Sequence, residues 1–73
     1  MSKLPVLSGR EVIRILCGFG YSVRGRESSH VHLRHLFRKP LTIPDHKEIA
    51  RGTLRAIIRE AGLTLEEFKD LLR

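Results

Sequence analysis

This chain has no tryptophan, one tyrosine and one cysteine among its 73 residues. A lone cysteine, Cys17, excludes an internal disulfide and every multi-cysteine zinc motif. No apolar run approaches the ~20 residues that a membrane-spanning helix needs. The opening stretch, Met1-Ser2-Lys3-Leu4-Pro5-Val6-Leu7-Ser8, has no long apolar centre and no small-residue cleavage site, so no signal peptide is expected. These absences predict a protein of the reducing cytoplasm, with no membrane partner. Acidic residues are scarce early in the chain. Residues 1–44 hold two Asp/Glu against eight Lys/Arg, whereas residues 45–73 hold six of each. The whole formal charge of +6 therefore belongs to the first part. A basic surface focused in this way points to a polyanionic partner, nucleic acid before others.

What is present suffices for one folded domain, residues 1–73. Hydrophobic residues make up 41% of the chain and charged residues 30%, a balance that fits a compact globule rather than a disordered segment. A domain this small buries only about 60% of the surface its unfolded chain exposes. Its stability should be modest, and a partner that binds the folded state would add to it.

Ser8 and Glu11 form an S-x-x-E capping box, with Leu7 and Val12 placed as its hydrophobic staple. Val12, Ile13, Leu16 and Cys17 then recur at helical spacing while Arg10 and Arg14 turn away, which predicts a first helix with Cys17 in the core. Gly18 and Gly20 supply its stop. Phe19–Arg24 alternates, with Tyr21 and Val23 expected inward. Gly25-Arg26-Glu27-Ser28 reads as a polar turn, Ser29–Leu36 as a second strand, and Leu41–Ile43 as a short third strand ended by Pro44. Asp45–Arg51 reads as a polar connection. Thr53 is the expected N-cap of a second helix with Leu54, Ile57, Ile58 and Ala61 on its apolar stripe, closed by Gly62. Thr64 and Glu67 make a second capping box, with Leu63 and Phe68 as staple, and open a short last helix. The expected fold is α+β, in the order α-β-β-β-α plus a short C-terminal helix. A three-stranded antiparallel sheet carries the helices on one face, since nothing else can bury Val31, Leu33, Leu41 and Ile43.

The second strand carries the chemistry. Val31 and Leu33 point inward, which sends His30, His32 and Arg34 to the open face. Imidazoles titrate near neutral pH, and RNA brings its own nucleophile, the 2′-hydroxyl. Cleaving RNA therefore needs only a proton acceptor, a proton donor and cations for the developing phosphorane charge. His30 and His32 supply the first two types of group, and Arg24, Arg26 and Arg34 the third. Arg51, Arg55 and Arg59 recur every four residues along the second helix and suit phosphate contact. Residue type alone leaves a second reading open, in which the histidines are solvated edge residues and the arginines a solvated flank. No zinc spacing such as H-E-x-x-H occurs, and no metal or other cofactor is expected. Ser28 and Ser29 beside His30 lack any nucleophile-elbow context. Two other functions need the same basic surface. One is a non-catalytic RNA-binding module, and the other a DNA-binding regulator, against which the three strands before the arginine helix argue.

Taken together, these residues resemble the HicA-type (YcfA-like) messenger-RNA interferase toxins. The resemblance lies in Leu7-Ser8-Gly9-Arg10-Glu11-Val12-Ile13-Arg14-Ile15-Leu16, in Gly18-Phe19-Gly20-Tyr21, in Ser29-His30, in Leu41-Thr42-Ile43-Pro44 with His46, and in Arg51–Leu63. It implies a fold like the double-stranded-RNA-binding domain, in agreement with the element order above. It further implies a toxin of a toxin–antitoxin pair that cleaves mRNA without a metal, with His30 as the catalytic residue; His32, on the same outward face by the alternation, is placed to assist. A HicB-type antitoxin is the implied protein partner. The family usually has Gly-Ser-His-His where this chain has Ser28-Ser29-His30-Val31, so a serine stands at a glycine position.

Overall fold

The computed structural model describes residues 4–72; residues 1–3, part of the stretch read against a signal peptide, and Arg73 lie outside the described residues. The chain runs α1 (Gly9–Gly18), β1 (Ser22–Glu27), β2 (His30–Arg34), β3 (Leu41–Pro44), α2 (Arg51–Glu60) and α3 (Leu65–Leu71). The strands form an antiparallel meander in the order β1-β2-β3, and the architecture is the expected α+β one.

Both capping boxes form. Ser8 Oγ accepts from the Glu11 N–H while Glu11 accepts from the Ser8 N–H, and Thr64 and Glu67 do the same at α3. The bond from the Ser8 backbone, and then the Ser8 hydroxyl, hold the Glu11 carboxyl below its ordinary pKa. The staple residues Leu7, Val12, Leu63 and Phe68 are all buried. Both α1 and α2 end in a Schellman motif. Tyr21 N–H bonds Leu16 O with Gly20 at φ +107°, and Leu63 N–H bonds Ile58 O with Gly62 at φ +80°. Gly18 is instead the last helical residue of α1.

One core holds the layers together. Val12, Leu16, Val31, Leu33, Ile43, Leu54, Ile58 and Phe68 are each no more than 2% exposed, and no polar or charged residue is buried among the described residues. Alternation along β2 puts Val31 and Leu33 into this core, paired with Ile43 and Leu41 on β3.

Four sequence expectations need correction. The first hairpin turns later than expected, at Ser28-Ser29, so Gly25, Arg26 and Glu27 belong to β1. Gly25 marks a bulge instead, with Arg24 as the extra residue between the Val23–Leu33 and Gly25–His32 pairs. Val23 pairs with Leu33 on the helix side, but on an edge strand it keeps 54% of its surface exposed. Cys17 is exposed, because the margin of the α1 stripe on which it lies reaches past the core. Finally, α2 begins at Arg51 behind Ala50, with no side-chain cap, and Thr53 lies inside its first turn. The reason is Ile49, a buried residue whose N–H bonds Leu7 O (2.8 Å); it pins the chain just before the helix and sets the start.

Candidate nucleic-acid interface

The register of the sheet decides which side chains meet on its open face. Glu27, His30 and Pro44 sit in one row, Gly25, His32 and Thr42 in the next, and Ser22 and Arg34 in a third. The face is therefore a strip of polar and cationic groups running the length of β2, as the alternation predicted.

His30 opens β2 immediately after the two-residue turn. Ser28 adopts φ +58° there, and no other described non-glycine residue has a positive φ. A positive angle at the first turn residue alone has the pattern of a II′ hairpin, which ordinarily places glycine at that position. The backbone that a glycine would favour is thus kept with serine in place. The turn is clamped from below. Asp45 N–H donates to Ser29 O (2.7 Å), and the Asp45 carboxylate pairs with Arg26 (2.9 Å). The next residue, His46, accepts at its carbonyl from Gly9 N–H (2.8 Å), tying the same corner to the start of α1.

The four histidines differ in what their rings already do. His35 accepts from Phe37 N–H at Nδ1 (3.0 Å), so its Nε2 carries the proton and donates to Phe19 O (3.1 Å). Its ring meets Tyr21 edge-on at 4.8 Å, and it is a structural residue. His32 faces Thr42 Oγ1 through Nδ1 (3.1 Å), and its Nε2 lies 3.5 Å from Oε1 of Glu27. His30 is exposed, and among the described residues its ring has no hydrogen-bond partner. His46 is exposed in the loop after β3.

The six arginines singled out from the sequence fall into three places. Arg24, turned by the bulge, and Arg34 line one hollow of about 360 Å³ at the far end of the strip. Arg26 pairs with Val31 on the helix side, where Asp45 engages it, although its side chain is still 53% exposed. Arg51, Arg55 and Arg59 are exposed on α2, on the helix layer and so apart from the open face. Among the described residues no three His, Cys, Asp or Glu side chains are arranged to hold a metal ion. Sequence reasoning missed the partners of His32 and the fully exposed pair Leu36-Phe37. The signal for the second was an aromatic residue set among Arg34, Arg38 and Lys39.

Residues 9–63 match the family model described as the HicA toxin of bacterial toxin–antitoxin systems. The chain belongs to the HicA toxin family. The match opens with the first residue of α1 and closes at the Schellman turn after α2, so it spans the whole sheet and both main helices; α3 lies beyond it. No curated protein matches the chain. Membership of the HicA family implies an antitoxin as partner. Among the described residues no helix is long and apolar enough to cross a membrane.

Proposed function

We propose that this HicA-family chain is a metal-independent endoribonuclease that cleaves mRNA, with His30 as its general acid/base. The observation that carries the reading is the state of the His30 ring: exposed on the open face, without a hydrogen-bond partner among the described residues, and held at the tip of a clamped hairpin. In such a reaction the 2′-oxygen attacks the adjacent phosphorus, its proton passes to a base, and the 5′-oxygen leaves with a proton from an acid. The products are a 2′,3′-cyclic phosphate and a 5′-hydroxyl end. His30 carries one of these proton transfers, and His32, on the same face and backed by Glu27 and Thr42, assists. Arg24 and Arg34 hold phosphate at the end of the strip; Arg26 on the helix side and the Arg51/Arg55/Arg59 row on α2 serve as contacts for RNA that runs on past the edge of the open face. The antitoxin, of the HicB type, neutralises the toxin by covering this face.

The test compares wild type with His30→Ala in cleavage of labelled RNA with a chelator present, and in growth arrest on expression. A loss of about 10²–10⁴-fold in cleavage is expected, with arrest abolished. A folded His30→Ala protein that cleaves and arrests like wild type removes the assignment. Salt-sensitive RNA binding by wild type without any cleavage would instead identify a binding module.

A further inference from the structure

We infer that the loop after β2 is a stacking platform for an unpaired RNA base, with Phe37 as the platform and the Arg24/Arg34 hollow as the adjoining phosphate site. The inference rests on the RNA reading above and specifies the substrate as single-stranded at this point. Its basis is an apolar pair that the fold presents to water. Leu36 is 90% exposed and Phe37 88%, although both lie in a loop tied at several points. Phe37 N–H is bonded to His35 Nδ1, and the His35 ring is fixed in turn to Phe19 O. Lys39 O accepts from the buried Tyr21 hydroxyl (2.8 Å). Arg38 donates to Ala61 O (3.0 Å), with its guanidinium 4.5 Å from the centre of the Phe19 ring.

Isolated exposed apolar side chains are ordinary, whereas two neighbours held outward by a tied backbone offer one contiguous apolar surface. The chemistry around them selects the partner. The hollow beside Leu36 is lined by Ser22, Arg24, Arg34 and His35 and by no acidic residue, and Lys39 adds a further exposed cation. A flat ring beside a cationic track is what single-stranded nucleic acid needs, bases stacking on the aromatic while cations follow the phosphates. A duplex hides its bases, so such a platform favours unpaired ones. His30 and Arg34 are four residues apart on β2, about 13 Å along an extended strand. The stacked base therefore belongs to a nucleotide flanking the one that is cut.

The test uses a 2′-O-methyl single-stranded oligoribonucleotide, which binds without offering a nucleophile, and inorganic polyphosphate as a charge-only control. Phe37→Ala is expected to weaken the oligonucleotide about 5- to 150-fold while leaving polyphosphate binding unchanged. Phe37→Trp places the only tryptophan in the chain on the platform, and its fluorescence should be quenched by the oligonucleotide and not by polyphosphate. If wild type binds the oligonucleotide and both variants bind it equally well without quenching, the platform is refuted while the RNA reading stands. If wild type binds neither single-stranded nor duplex RNA at low salt, both fall. A Phe37→Ala protein with intact RNA affinity that no longer binds its antitoxin would assign the loop to that partner and overturn the inference.

Discussion

Replacing Ser28 by glycine should make the protein more stable, although it removes atoms and adds no contact. Ser28 holds φ +58° at the first position of the β1–β2 turn. A left-handed backbone costs an L-residue about 1–2 kcal/mol, a cost glycine does not bear. Against this, glycine gains freedom in the unfolded chain worth about 0.5–1 kcal/mol. The balance is a stabilisation of about 0–1.5 kcal/mol, centred near ~0.75 kcal/mol. In a domain of this size 1 kcal/mol moves Tm by about 4–8 °C, so Ser28→Gly should raise Tm by about 3–6 °C at that centre. Ser28→Val is the opposing control, because a β-branched residue at positive φ is a true outlier, and it should melt well below wild type. Thermal melts by circular dichroism, with urea midpoints at unchanged m, would measure both. A glycine variant that melts at or below the wild-type temperature would refute the strain argument. The same pair reports on activity. If a glycine at this position would serve only to reach this backbone conformation, Ser28→Gly and wild type cleave RNA at the same rate.

Two further perturbations test how the site is held. A Cβ at Gly9 would overlap Pro44 O and stand 2.9 Å from Asp45 Cα, all rigid backbone, so Gly9→Ala should cost about 1–3 kcal/mol in a urea titration. Tyr21→Phe should lose about 0.5–1.5 kcal/mol at neutral pH, since the bond to Lys39 O goes. Burial raises the Tyr21 phenol above its ordinary value, with Arg38 opposing; the folded chain thus keeps a proton that the unfolded chain releases. That contribution is complete below about pH 10 and is lost as pH rises through the raised value, so urea midpoints of wild type should fall there. The Tyr21→Phe midpoints should fall less over the same range.

Most of the fold was legible because its signals are local. The two capping boxes, the Schellman glycines Gly20 and Gly62, and the period-two pattern of β2 are each set by residues a few positions apart. What escaped depends on distant partners. Gly25 looks like a turn residue until its pairing with His32 makes it part of a bulge. Asp45–Arg51 looks like a polar connection until Ile49 is found buried against the Leu7 segment, where it moves the start of α2 back from Thr53. Val23 and Cys17 carry the right spacing for burial, but spacing fixes only a direction, and whether another element covers that direction is a tertiary fact. Position on the open face was readable for His30, His32 and Arg34. The division of labour among the histidines was not, because it depends on Phe19, Phe37, Thr42 and Glu27.

That division is the strongest physical reason to place proton transfer at His30. A general acid or base must have a ring nitrogen free to meet the substrate. His35 fails this test, since its two nitrogens hold Phe19 O and Phe37 N–H, and releasing either would loosen the loop that follows β2. His32 meets it only in part, because Thr42 and Glu27 already face its nitrogens. His30 meets it fully; the exposed His46 meets it too but lies in the loop after β3, whereas His30 stands on β2 in the open face, paired with Glu27 on one side and Pro44 on the other. The hairpin tip is bonded to Asp45, its Arg26 pairs with the same residue, and His46 is bonded to Gly9 at the head of α1. A free ring on a fixed backbone is the combination that preorganised catalysis requires. Asp45, bonded to Ser29 O and paired with Arg26, helps to fix that backbone, a structural role that its position in a polar connection did not suggest.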